Sequence, residues 1–386
     1  MEALTRTTEI LGALIAFPTV SADSNLAMIA HMAGLLEAAG ARVELITAPC
    51  GTKANLFATL GTERDGGILL SGHSDVVPVA DQNWTSDPFV MTERDGRLYG
   101  RGACDMKGFI AACLAMAPAF AAQVRDRPLH FAFTYDEEVG CFGARHLAEV
   151  LKTRGLTPGI AIIGEPTEMR IIEGHKGCYE YSTRFSGLPG HGSLPGQGVN
   201  AVEYAVRYVH HLLGLKDRLR AMAPEGGRFD PPWTTVNVGA VTGGVAHNVI
   251  APTAQVDWEM RPVQPGDAEF VKDSLRRYCE QTLLPQMRAV YPEATIDLEV
   301  IGEVAGLIPT DQNEARRIVA ELTGANGADL VAFGTEAGIF QALGTDVVVC
   351  GPGSIEQAHK ADEYIALDQL AQCLGMLERL AERLDG

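Results

Sequence analysis

Four short, almost wholly apolar runs constrain this chain more than any other feature: Ile68-Leu69-Leu70-Ser71, Leu129 to Thr134, Ile160 to Ile163, and Val347-Val348-Val349-Cys350. Strands buried on both faces read this way, whereas strands with one wet face alternate. Helical patterns lie between them. Leu26, Ile29, Ala33 and Leu36 step at helical spacing after Asp23 and Ser24, which can cap, and Gly40 ends the run. Lys107 to Phe120 and Gly143 to Thr153 read as helices, as do the patterns through Ala315, Ile318, Val319 and Leu322 and through Leu370, Cys373, Leu374, Leu377 and Leu380. Strands alternating with helices predict an α/β fold with a mixed, mostly parallel sheet flanked by helices.

The middle of the chain changes style. Tyr179, Tyr181, Thr183 and Phe185 alternate with Glu180, Ser182 and Arg184, and Ala254, Val256, Trp258 and Met260 alternate with Gln255, Asp257, Glu259 and Arg261. Val199, Val202, Val206, Val209 and Leu213 step by three and four, an amphipathic helix. A strand near Thr234 to Val241, a helix around Ala268 to Leu283, and a strand carrying Ile296, Leu298 and Val300 complete a β-α-β-β-α-β order. That order describes a ferredoxin-like α+β domain with one-sided strands. The expected organisation is therefore a domain made of residues 1–177 and 305–386, interrupted by an inserted domain at 178–304.

Charge narrows the partners. Across 386 residues there are 31 Lys and Arg against 49 Asp and Glu, a net charge of −18. Such a surface repels phosphate backbones, so no nucleic-acid partner is expected. The longest apolar stretch, Gly108 to Ala122, is too short to span a bilayer and contains Pro118. The N-terminal residues lack a basic segment followed by an apolar run, and the eight cysteines show no C-x-x-C pair. A cytoplasmic protein with no membrane partner is the expectation.

Each buried run is followed closely by residues that can ligate metal. Ile68–Ser71 leads to His73-Ser74-Asp75, the second run to Asp136-Glu137-Glu138, the third to Gly164-Glu165-Pro166, and the fourth to Gly351-Pro352-Gly353-Ser354 and then His359. Asp105 lies just before the helix that starts near Lys107. Singly, each has an ordinary reading: Asp105 could cap its helix, Glu165 could serve a turn, and Glu137-Glu138 could be a solvated loop. Ligands of open α/β sheets gather beyond the carboxyl ends of the strands, and this chain delivers His, Asp, Glu, Glu and His there. Two imidazoles and three carboxylates suit zinc, cobalt or manganese better than calcium. Five ligands are too many for one tetrahedral ion and suit two ions sharing a carboxylate. Of the adjacent pair Glu137 and Glu138, one can coordinate while the other serves as general base for the attacking water. No G-x-x-x-x-G-K-[ST], H-E-x-x-H or G-x-S-x-G motif supports a competing chemistry.

His73-Ser74-Asp75-Val76-Val77-Pro78, Gly100-Arg101-Gly102-Ala103-Cys104-Asp105-Met106-Lys107-Gly108, Asp136-Glu137-Glu138 and Gly164-Glu165-Pro166-Thr167 resemble, in order, motifs of the di-zinc aminoacylase and carboxypeptidase G superfamily. That superfamily includes acetylornithine deacetylases and succinyl-diaminopimelate desuccinylases. Gly174-His175-Lys176-Gly177, Gly351 to His359, and the tail Ala361-Asp362-Glu363-Tyr364-Ile365 are most similar to the acetylornithine deacetylases. The resemblance implies a zinc-peptidase-like catalytic domain and two divalent cations, zinc foremost and cobalt as the alternative. Asp105 would bridge them, His73 and Glu165 would complete one ion, and Glu138 with His359 the other. Glu137 would be the base, and Asp75 would hold the His73 imidazole in its ligating tautomer.

The resemblance also implies that the inserted domain is a lid and dimerisation domain of a homodimer. His191 would reach a neighbouring subunit's site to stabilise an oxyanion, although Gly192 stands where the family usually has serine. Asn248 and Arg261 match substrate-contacting positions, and Gly353 belongs to the expected substrate-binding set. An arginine fork on a carboxylate is chemically sensible, but Arg261 shares its polar strand face with Asp257 and Glu259. The implied substrate is a small N-acyl amino acid, N2-acetyl-L-ornithine, cleaved to L-ornithine and acetate for arginine synthesis. The alternatives are the same chemistry on succinyl-diaminopimelate, another acyl amino acid or a dipeptide, or a metal-binding protein without turnover. Glu137 argues against the last, because a structural site needs no carboxylate left off the metal.

Overall fold

A computed structural model describes residues 2–384, and the chain divides into two compact units. The first is Met1–Gly174 with Pro309–Leu330 and Thr335–Gly386; the second is His175–Ile308 with Val331–Gly334. The first unit holds an eight-stranded sheet. Its order is Arg42–Thr47, Ala54–Leu60, Leu129–Thr134, Ile68–His73, Ile160–Pro166, Asp346–Gly351, Ile172–His175 and Asp329–Val331. The four apolar runs are the four consecutive central strands, all parallel. Their register sets His73 beside Thr134 and Val349 beside Ile163. The carboxyl ends that carry the polar residues therefore share one edge of the sheet. Antiparallel strands flank this centre, so the sheet is mixed and mostly parallel at its core.

Helix Gly108–Gln123 occupies the core, with Phe109, Ile110, Cys113, Leu114 and Phe120 buried. With the turn before it, this helix is long and apolar enough to cross a membrane, but 89% of that stretch is buried inside the protein. Its apolar surface is used up by packing against Glu2–Ile15 and Leu367–Arg383. The eight cysteines are free thiols, and five of them are buried.

One core histidine should make stability depend on pH. His130 lies in the strand Leu129–Thr134, stacked on Phe57 at 5.3 Å, with Nδ1 2.9 Å from Thr59 Oγ1. Its Nε2 has no partner among the described residues, and burial lowers its pKa to about 4. The unfolded chain protonates near 6.5, before the folded one does. The stabilisation is therefore complete above about pH 6.5 and is lost as pH falls toward 4, up to about 3 kcal/mol. Denaturant melts between pH 7 and 4 should show this slope, and His130→Gln should flatten it. An unchanged slope in that variant would assign the acid sensitivity to other groups.

The second unit is a four-stranded antiparallel sheet in the order Thr235–Gly243, Thr253–Arg261, Cys178–Ser186, Thr295–Val304. Helices Ala201–Ala221 and Pro265–Tyr278 supply Tyr208, Leu212, Leu215, Val271 and Leu275 to one core with Tyr181, Phe185, Val256, Trp258 and Met260. Trp258 stacks on Tyr181 at 4.4 Å and donates its indole N–H to Thr183 Oγ1. Asn200 caps the first helix by accepting from the amides of Val202 and Glu203.

This unit departs from the periodicity in two places. The buried face of Ala201–Ala221 is Ala205, Tyr208, Leu212, Leu215 and Leu219, while Val206 and Leu213 of the valine stripe are exposed. Two neighbouring stripes are apolar, and the one bearing the aromatic ring faces the sheet. On Thr295–Val304, Leu298 and Val300 are exposed because this is an edge strand.

Candidate active site

His73 ends the central strand Ile68–His73 and is buried. Its Nδ1 lies 2.9 Å from the Asp75 carbonyl oxygen, an acceptor, so Nδ1 carries a proton and Nε2 is aimed at Asp105 Oδ1, 2.9 Å away. Asp75 thus faces the ring with its main chain, while its carboxylate is 3.7 Å from Nδ1. That carboxylate accepts from Ser21 Oγ at 2.7 Å and from the amides of Glu137 at 3.0 Å and Glu138 at 3.3 Å. It fixes the turn that presents both glutamates. Lys53 steadies the same turn by donating to both oxygens of Asp136.

Asp105 projects from the loop before helix Gly108–Gln123, and its Asp105–Met106 peptide is cis. Its second oxygen is 3.5 Å from His359 Nε2, so one carboxylate stands between two imidazoles. His359 also lies 3.0 Å from Glu138 Oε2, and Glu165 Oε1 is 3.8 Å from His73 Nε2. Ligand atoms of His73, Asp105 and Glu138 lie within 4.8 Å of one another, as do those of His73, Glu137 and Glu165. The five expected ligands and Glu137 are therefore gathered at one place in the first unit. Glu137 Oε1 is 3.4 Å from the buried thiol of Cys141, which donates to it.

Charge at this cluster is out of balance. Burial pushes Glu137 up to about 8, with repulsion from Glu138, Asp105 and Asp75 opposing the pull of His73. Burial also raises Glu138, and raises Glu165 well above the usual carboxylate range. Asp105 is different: burial disfavours its charge, yet hydrogen bonds from His359 and His73 hold it well below that range. Hydrogen bonds to Asp105 and Glu138 push His359 up to about 10. Burial opposes a charge on His73, but Asp105 and Glu165 more than offset it and hold its pKa well above the usual value. Four carboxylates thus converge on two imidazoles, of which His73 is buried and His359 is exposed. A mixed nitrogen and oxygen donor set, with more carboxyl groups than the two imidazoles can hold ionised, fits divalent cations of the zinc type.

Gly353 has a left-handed φ of +91°, and a Cβ there would come within 2.5 Å of Cys104 Sγ. Its N–H is donated to Gln369 Oε1 and its carbonyl accepts from Glu168 N. Gly353 is buried, and both of its main-chain polar groups are engaged within the protein.

The other expected site residues belong to the second unit. His191 is exposed and pairs in a two-residue ladder opposite Val249; its Nδ1 is 2.7 Å from Ser193 Oγ. Gly192 N donates to Asn248 O, so His191 and Asn248 are neighbours. Arg261, at the end of Thr253–Arg261, donates through Nε and Nη2 to Glu259 Oε2 at 3.0 and 2.7 Å. Glu259 is one of the two acids that share its polar strand face. Ser21, Lys53 and Cys141 were not singled out by the sequence: Ser21 and Lys53 act on residues far away in the chain, and Cys141 acts through one thiol contact to Glu137 that leaves no motif.

A family model described as Peptidase family M20/M25/M40 matches residues 69–383, most of the chain. Among solved structures, an M20 family metallo-carboxypeptidase from Sulfolobus solfataricus superposes with a TM-score of 0.77 at 17% identity, covering 100% of this chain and 99% of the other. A tripeptidase from Staphylococcus aureus gives 0.74 at 20% identity, with coverage of 99% and 98%. A dinuclear metal-binding peptidase from Bacillus subtilis gives 0.63 at 18%, with coverage of 98% and 97%.

Proposed function

Because the chain belongs to peptidase family M20/M25/M40, a family of hydrolases acting on peptide and amide bonds, we propose that it is a two-cation amidohydrolase. Its proposed substrate is N2-acetyl-L-ornithine, cleaved to L-ornithine and acetate. The observation that carries the chemistry is Asp105 held between His73 and His359, with Glu138 and Glu165 alongside. The dinuclear metal-binding peptidase of like fold supports two cations. For the substrate, the support is the resemblance of the segment from Gly351 to His359 to acetylornithine deacetylases.

In this reading His73, Asp105, Glu138, Glu165 and His359 hold the cations. Bound there, the cations would supply Lewis acidity to the scissile carbonyl and make a water more acidic. Glu137 takes a proton from the attacking water as its oxygen bonds to the carbonyl carbon. It returns that proton to the nitrogen as the C–N bond breaks, and the water's second proton passes from the new carboxyl group to the amine, leaving a carboxylate and an ammonium group. Asp75 orients His73 with its carbonyl and Glu137 with its carboxylate. Arg261 would exchange Glu259 for the substrate carboxylate, a planar bidentate match. Asn248 would contact the substrate, and His191 would stabilise the oxyanion, reaching it from the neighbouring subunit of a homodimer. The exposed Val206 and Leu213 on the helix Ala201–Ala221 support a second copy covering that face.

Dipeptide hydrolysis is the second reading, favoured by likeness to human carnosine dipeptidase 1, at 20% identity with a TM-score of 0.68. The deciding experiment is a zinc- or cobalt-supplied panel of acetylornithine, other acetylated amino acids, succinyl-diaminopimelate and dipeptides. The expected result is the highest kcat/KM on acetylornithine. A higher value on any other member moves the substrate there.

A further inference from the structure

Glu363 is a buried carboxylate that belongs to none of the roles above, yet it makes four charge-assisted contacts with the loop carrying Asp105. Its Oε1 accepts the amides of Cys104 at 2.9 Å and Asp105 at 3.0 Å. Its Oε2 accepts the amide of Gly102 at 3.0 Å and Arg101 Nη1 at 2.7 Å. Its own carbonyl accepts Gly100 N at 2.9 Å. The loop is wrapped around an anion, as successive amides in a turn do when they form a concave nest. Gly102 permits this with φ +78°, where a Cβ would also strike Val76.

The same contacts reach the other side of the cluster. Arg101, itself buried, places Nη2 2.5 Å from Gln82 Oε1, and Gln82 Nε2 donates to the carbonyl of His359. Arg101 Nη1 also reaches the carbonyl of Lys360. One carboxylate thus ties the main chain of Asp105 to the segment that presents His359. Burial and the nearby Asp105 charge raise the Glu363 pKa above the usual carboxylate range, and the amides and Arg101 offset only part of that rise.

We propose that Glu363 is a positioning residue for the cation site: by gathering the amides of residues 102, 104 and 105 and the guanidinium of Arg101, it sets Asp105 and His359 at the separation that two cations require. This deepens the metal reading above and rests on it. Glu363 touches no ligand atom, so its effect must pass through the placement of Asp105 and His359.

The test is zinc titration of the metal-free full-length chain by calorimetry, with the visible spectrum of the cobalt-loaded protein as a second readout. Glu363→Gln keeps the shape but turns an N–H donor toward amides that are themselves donors. It should weaken zinc binding by about 10–100-fold, the usual cost of losing a partner that orients a metal ligand, and alter the cobalt absorption bands. Leu377→Ala, a truncation in the apolar core of the same unit, should lower the melting temperature and leave zinc affinity and the cobalt bands unchanged. If the glutamine variant does not fold, Glu363→Asp, which keeps the charge on a shorter arm, takes its place in the same titration. Wild-type affinity and spectrum in the Glu363 variant would overturn the inference alone, as would an equal loss in Leu377→Ala. A wild-type chain that binds no zinc would overturn the metal reading and this inference with it.

Discussion

Replacing Glu137 with glutamine is expected to lower kcat by about 10²–10⁴-fold, the usual worth of a positioned general base, with zinc content and melting temperature little changed. The substitution is nearly isosteric. It keeps the main-chain hold from the Asp75 carboxylate onto residue 137 and leaves an oxygen that the Cys141 thiol can still reach. What it removes is the capacity to carry a proton. Metal analysis beside steady-state kinetics separates the two possible faults. Turnover within tenfold of the parent would place the base elsewhere. A parallel loss of zinc would make Glu137 a ligand, a role its proximity to His73 and Glu165 leaves geometrically open.

Asp105→Asn is expected to remove activity by a different route. The Asp105 carboxylate lies between His73 and His359, at 2.9 and 3.5 Å from their Nε2 atoms. Asparagine offers one oxygen and puts an N–H₂ where the second cation needs a negative donor. Bound zinc after dialysis should fall by half or more. The fall in kcat/KM should exceed about 10³-fold, since Lewis-acid assistance is worth several kcal/mol and each 1.36 kcal/mol is tenfold. Treatment of the parent with a chelator, followed by zinc, should abolish and then restore turnover. An Asp105→Asn protein that keeps its full zinc complement would show that His73 and His359 serve separate purposes.

Legibility in the sequence followed the range of the interaction. The four apolar runs were readable as central strands because a strand buried on both faces has no polar position to blur it. Three of the proposed ligands, His73, Glu138 and Glu165, were readable because they end those strands or follow them within a few residues, whereas Asp105 precedes a helix and His359 lies in the loop well past Asp346–Gly351. The helix Ala201–Ala221 was harder. Its valine stripe and its Tyr208 stripe are both apolar, and only the sheet beneath decides which is covered. Partners that work on main-chain groups left no trace. Nothing near Asp75 says that its carboxylate clamps the amides of residues 137 and 138, or that Ser21 donates to it. Glu363 was visible only as part of a family-like tail, four residues beyond His359, and the amides it gathers lie far away in the chain.

The strand Asp346–Gly351 sits inside the sheet, between Ile160–Pro166 and Ile172–His175, although the chain reaches it last. During vectorial synthesis the amino-terminal portion emerges from the ribosome with a slot in its middle that nothing upstream can fill. The second unit owns all four of its long strands and can close while its host still waits. A nascent chain halted before residue 346 lacks both this strand and His359, so it exposes two unpaired strand edges and cannot assemble the complete set of ligands. On the proposed reading, the cation ligands are complete only once residues 346–359 have been made.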